Sequence, residues 1–264
     1  MAHNFNGATM KKLLTFAVLL TMVFAGSLFA QDEDEKDEQP VKKSYTKTKV
    51  GGAGGITPAI SMFNNDGINK MLTDAGMPKL SSNGYLVGGE GYGYVMFLHN
   101  VRMGGFGIGG TSKSNILEAN NRRKDIDYKI SYGGFLVDYV VPVVHHLDIA
   151  VGASIGGGSV DITMTRDDVS FKKWDDLWKE FGKNDSTKNL TRQIKGSFGA
   201  FTPHVNVEYA LLTWLQLRVG VGYPIFFSPD WKLDNRDVEV LTVPANLKPD
   251  GYTINAGIMF GFFN

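Results

Sequence analysis

The last thirteen residues, Tyr252 to Asn264, alternate between two kinds of side chain. Tyr252, Ile254, Ala256, Ile258, Phe260 and Phe262 are apolar, and the set between them, Thr253, Asn255, Gly257, Met259 and Gly261, is mostly small or polar. A period of two belongs to a β-strand with unlike faces. The same alternation sets Leu215, Leu217, Val219, Val221 and Tyr223 against Gln216, Arg218, Gly220 and Gly222. It also sets Leu147, Ile149, Val151, Ala153 and Ile155 against Asp148, Ala150, Gly152, Ser154 and Gly156, and Pro203, Val205, Val207 and Tyr209 against Thr202, His204, Asn206 and Glu208. Together with the turn residues, the pattern predicts eight strands over 46–62, 84–98, 101–113, 126–142, 147–165, 191–211, 215–228 and 251–264.

The segments between the strands alternate in length. Asn64 to Asn83, Lys113 to Lys124, Arg166 to Leu190 and Pro229 to Pro249 are long, whereas the turns near His99-Asn100, His145-His146 and Leu212-Thr213-Trp214 are short. Tight turns at one end and long loops at the other are the asymmetry of transmembrane barrels. Phe97, Tyr139, Tyr209, Trp214 and Phe262 fall near one set of strand ends, and Tyr85, Tyr128, Tyr223 and Phe226 near the other, as two interfacial girdles would. The expected fold is therefore all-β: an antiparallel up-and-down transmembrane barrel of eight strands over residues 46–264, with short helices in its external loops. Bulky residues face lipid, and small or polar ones face inward.

Upstream, Met10-Lys11-Lys12 is followed by the apolar stretch Leu13 to Ala25 and then Gly26-Ser27-Leu28-Phe29-Ala30. This order of basic, apolar and small residues predicts a secretory signal over 1–30, cleaved after Ala30, with Met10 as an alternative start. Residues 31–45, acidic and then basic with no apolar period, read as a flexible periplasmic tail. No cysteine is present, so disulfides, a lipoprotein anchor and thiolate metal sites are excluded, and neither a metal site nor a cofactor is expected.

With the leader in view, the final strand becomes more specific. Asn255, Gly257, Phe260 and Phe262 resemble the assembly signal of bacterial outer-membrane barrels: a polar residue, a glycine two later, then apolar or aromatic residues three and five beyond it. Asn264 departs from that pattern, in which the aromatic itself commonly ends the chain. In architecture and closing strand the chain resembles the small OmpA/OmpX/OmpW-like group. The resemblance implies a monomer in the bacterial outer membrane, with membrane lipid and the barrel-assembly machinery as partners. Charge adds an exclusion: 27 basic and 27 acidic residues, less Lys11 and Lys12 of the leader, leave no basic excess for nucleic acid.

Five charged residues, Arg102, Asp138, Asp148, Glu208 and Arg218, take inward positions a few residues from the predicted short turns. Ions withdrawn from water need partners, so they are expected to form one paired layer, with Glu208 and Arg218 opposite each other across the Leu212–Trp214 turn. Such a layer is either a structural plug or a relay for protons or ions. The glycine-rich inward positions Gly152, Ser154, Gly156, Gly220, Gly222, Gly257 and Gly261 leave volume above it. In the third external loop, Phe171, Trp174, Trp178 and Phe181 recur at helical spacing, and Asp66 to Ala75 in the first loop, with Ile68, Met71 and Leu72, reads as a second short helix. The aromatic face could hold a small apolar ligand, rest on the outer leaflet or cap the barrel. Barrel enzymes need a histidine and its partners at the external rim, but His99, His145 and His146 fall in short turns and His204 lies mid-wall, so no catalytic residue is expected. The expected work is surface interaction, or binding and uptake of a small hydrophobic molecule beneath the loop helices; the alternative is a structural barrel or adhesin with a filled interior.

Overall fold

The computed structural model describes residues 49–119, 121–168, 189–233, 238–244, 247 and 250–263. The leader (1–30), the tail (31–45) and the aromatic helix carrying Phe171, Trp174, Trp178 and Phe181 lie outside the described residues. Among the described residues the strands are β1 (Gly51–Ile56), β2 (Ala59–Phe63), β3 (Asn83–Tyr94), β4 (Val101–Leu117), β5 (Arg122–Val144), β6 (Leu147–Asp168), β7 (Leu190–Leu212), β8 (Leu215–Gly222), β9 (Ile225–Leu233), β10 (Val238–Glu239) and β11 (Gly251–Phe263); one helix, α1 (Asp66–Asp74), follows β2. Thr57-Pro58 interrupts one wall strand to give β1 and β2, and Tyr223-Pro224 interrupts another to give β8 and β9, since proline has no N–H for the ladder. Every pairing is antiparallel, and β11 closes the ring by pairing with β1 and β2 on one side and β8 on the other. The result is a barrel with eight walls, as the period-two reading expects. At the short turns, Asn100 and His146 adopt φ of 56° and 70°, the left-handed region used by tight reversals.

The walls differ in height. β3 and β11 have 12 and 13 residues, whereas β5, β6 and β7 have 23, 22 and 23. A tilted strand crosses a bilayer in about 9–11 residues, so β5 to β7 continue well past it as a tall wing opposite the short turns. The predicted long loop from Lys113 to Lys124 is instead mostly strand: β4 and β5 pair up to Leu117 and Arg123. Its alternation goes unnoticed because polar residues occupy both faces there.

Side-chain parity runs unbroken from bottom to top of each wall, but the chemistry of the two faces changes along the way. On β5 and β6 the lower outward residues are Phe135, Val137, Val151 and Ile155, all exposed, and the lower inward ones include buried Asp138 and Asp148. Higher up, the outward row is Lys129, Asp161 and Lys195 in register, while Tyr128, Ile130, Val160 and Ile162 are buried inward. These inward residues, with Leu86, Phe198, Phe226 and Trp231, form one apolar core completed by Ile68 and Leu72 of α1 and by Met77 and Leu80. Tyr128 and Phe226 therefore belong to this core and not to a lipid-facing girdle. Tyr85, Tyr223, Phe97, Trp214 and Phe262 do face outward and are exposed.

Where the outer face changes from apolar to polar, Gly89, Gly107, Gly133, Gly157 and Gly199 stand side by side on five adjacent walls. Phe135, Ile155 and Phe201 form the row beneath, and Ser131, Ser159 and Ser197 the row above.

Candidate functional site

The lower interior is organised around Arg102. Its Nε and Nη2 donate to Asp138 Oδ2 at 2.9 and 2.8 Å, while Nη1 and Nη2 donate to Glu208 Oε2 and Oε1 at 2.7 and 2.6 Å. A guanidinium that bridges two carboxylates uses its planar fork on both, the strongest geometry open to a buried ion. Asp138 is the register partner of Arg102 on the neighbouring wall, whereas Glu208 lies three walls away on β7, so this contact ties the barrel across its lumen. All three side chains are fully buried.

Arg218 provides the second cation. It is the register partner of Glu208, and its Nε lies 2.8 Å from Glu208 Oε1 at an angle too oblique for a hydrogen bond. Nη1 donates to Glu90 on β3, a second tie across the lumen. Both guanidiniums lie against the ring of Tyr92, whose centroid is 3.9 Å from Arg102 Cζ and 5.2 Å from Arg218 Cζ. The ring face attracts both cations, and the phenol donates to Gln216 Oε1 at 2.9 Å, while Gln216 Nε2 donates to Glu208 Oε2 at 3.1 Å. Asp148 stands at the edge of the layer, paired with Lys49 and not with Arg102.

Of the five sequence-selected charges, Arg102, Asp138, Glu208 and Arg218 join one network. Glu90, Tyr92, His204 and Gln216 belong to it as well. Glu90 is hard to find from sequence because Gly88, Gly89 and Gly91 surround it and blur the parity of β3. His204 is legible as an inward residue, but not as a partner: its Nε2 lies 2.7 Å from Asp138 Oδ1 and its Nδ1 3.2 Å from the Thr202 carbonyl. Among the glycines assigned to the space above this layer, Gly152 and Gly257 are instead level with it as the partners of Asp138 and Arg218, and Gly261 lies below as the partner of Ala53.

In the closing strand, Phe260 and Phe262 face outward, and Phe260 stacks on Trp214 with centroids 6.2 Å apart and planes 14° apart. Asn255 and Gly257 face inward. A closed antiparallel ring that turns an apolar band outward and an ion-paired polar layer inward is a transmembrane barrel of the bacterial outer-membrane type.

No family model matches the chain, and no curated protein matches it. Among solved structures it is similar to a major outer membrane protein from Thermus thermophilus, at 10% identity over 80% of this chain and 99% of that one, with a TM-score of 0.45. It is also similar to the outer membrane protein OprG from Pseudomonas aeruginosa, at 11% identity over 82% and 97% of the two chains and a TM-score of 0.36. A third is the outer membrane protease OmpT from Escherichia coli, at 8% identity over 83% and 98% and a TM-score of 0.37.

Proposed function

We propose that this chain is a non-conducting outer-membrane barrel that works at the cell surface through its tall wing. The observation that carries this reading is an interior occupied at two heights by the chain's own side chains. Below, the Arg102 and Arg218 networks cross the lumen; above, the apolar core under α1 fills it. Eight-stranded barrels have room for little more than such filling. Uptake of an apolar molecule beneath α1 would require Ile68 and Leu72 to leave that core. The network acts as a structural plug, because each carboxylate at its centre already has a cationic or hydrogen-bonded partner. The barrel works without catalysis: both imidazole nitrogens of His204 face acceptors, which leaves neither free to act as a base.

Among the described residues, the surface available for recognition is the outer face of the wing, where Lys129, Asp161 and Lys195 alternate in sign across three strands and Lys113 pairs with Asp127 at 3.1 Å. Reconstitution into planar bilayers is expected to give no discrete conductance steps, and reproducible steps would overturn the plug. Cells displaying the Lys129→Glu, Lys195→Glu variant are expected to lose the sedimentation or surface attachment that the parent confers; equal attachment would remove the wing from the reading. Insertion rests on the assembly signal, so replacing Phe260 and Phe262 with serine is expected to lower the folded, heat-modifiable fraction in the outer membrane.

A further inference from the structure

Asp138, Gly152, His204 and Gly222 stand in one register row on β5, β6, β7 and β8. A Cβ on Gly152 would collide with Asp138 Oδ1, so glycine leaves the carboxylate room to reach across β6 to the imidazole. His204 Nε2 lies 2.7 Å from Asp138 Oδ1, and Nδ1 lies 3.2 Å from the Thr202 carbonyl oxygen. Both of these oxygens are acceptors. A neutral ring carries one N–H and would turn a bare lone pair toward one of them, whereas the imidazolium donates to both.

Charge balance favours the same form. The layer sets two guanidiniums, Arg102 and Arg218, against three carboxylates, Glu90, Asp138 and Glu208, while Lys49 and Asp148 balance each other at its edge. An imidazolium at 204 supplies the missing positive charge, and an uncompensated ion in such an interior is costly. The other titratable groups near His204 are Glu90 of β3 and Tyr132 of β5, which share with it the wall of a cavity of about 70 Å³. There β6, β8 and β11 present Ser154, Gly222 and Asn255, and among the described residues no lysine or arginine lines the space. We infer that His204 is a third structural cation, an imidazolium that clasps β7 to β5, and that its proton makes the barrel's stability sensitive to pH. When the proton leaves, one acceptor faces a bare lone pair and the layer keeps an unbalanced negative charge, so the clasp weakens in alkaline medium. The clasp rests on the plug proposed above, yet it is read from stability and ring protons and not from conductance, so a conducting barrel and a neutral His204 are distinguishable results.

The test uses the full barrel, purified and refolded in detergent, with urea unfolding followed from about pH 6.5, where a free imidazole titrates, to about pH 9. Over this range an unfolded histidine has given up its proton while the clasped one keeps it, so unfolding releases a proton and stability is lost as pH rises. The folding constant is expected to fall by up to about tenfold per pH unit relative to His204→Gln, whose side chain is neutral throughout. His99, His145 and His146 are common to both proteins and drop out of the comparison. Parallel profiles would overturn the proposal. If His204→Gln does not fold, magnetic resonance of the ¹⁵N-histidine-labelled parent decides. One ring bearing two slowly exchanging N–H protons is expected at about pH 7.5. A buried ring with a single N–H, whether the proton sits on Glu90 or is absent, refutes the third cation.

Discussion

Along β5, β6 and β7 the lower and upper halves of the barrel use the same strands, the same parity and opposite chemistry. On β5, Phe135 and Val137 turn outward to lipid while Asp138 turns inward to Arg102; a few residues higher, Lys129 turns outward to water while Ile130 turns into an apolar core. The backbone does not distinguish the two halves. What differs is the solvent outside, and a chain stabilises whichever arrangement keeps charge in water or in ion pairs and apolar surface out of water. The lower half therefore depends on a few strong polar ties, and the upper half on many weak apolar contacts.

That contrast can be broken from either side. The largest effect is expected from Arg102→Ala, which leaves Asp138 and Glu208 buried without their shared cation. It should cost about 3–5 kcal/mol, read from urea unfolding of the reconstituted barrel. Exchanging Glu208 and Arg218 should not restore stability, because an arginine at 208 would meet Arg102; recovery to the parental midpoint would show that the two arginines do not share Glu208. Next is Leu72→Ala in α1, expected to cost about 3 kcal/mol but only within the upper half. Amide exchange should accelerate at Ile130 and Val160 and remain slow at Leu136 and Ala150; uniform acceleration would mean that the halves unfold as one.

A comparison along one face of β6 sharpens the boundary itself. Val151→Arg places a charge on the lipid-facing surface and should cost about 2–4 kcal/mol. Ser159→Arg, on the same face four outward positions higher, should change stability by less than about 0.5 kcal/mol, as surface substitutions in water do. Equal costs at the two positions would place the wing in lipid and end the two-solvent account.

The lower half is the more legible of the two in the sequence. A strand with lipid outside and charge inside shows strong period-two contrast, which is why β6, β7, β8 and β11 and four members of the ion network can be recognised from residue order alone. The upper half is read less well. Tyr128 and Phe226 read as interfacial aromatics because strand position alone does not reveal that inside and outside exchange their polarity above the membrane. The upper ends of β4 and β5 read as a loop for the same reason: Ser114 and Lys124 on the inner face and Asn115 and Asp125 on the outer one leave no polar–apolar contrast. Glu90 meets Arg218 three walls away across the lumen, and His204 meets Asp138 two walls away past Gly152, contacts that alternation within a single strand does not specify.

The row of five glycines gives the barrel a waist. Along those walls the outer surface is thinner by one layer of side chains, with Phe135, Ile155 and Phe201 projecting below and Lys129, Asp161 and Lys195 above. A lipid head group at this height would meet nearly bare peptide, with bulk on either side to resist movement up or down. Such a waist would key the molecule to its depth in the bilayer much as a groove holds a retaining ring, and a bulky residue at Gly107, where the outer space is open, would remove the groove without disturbing the interior.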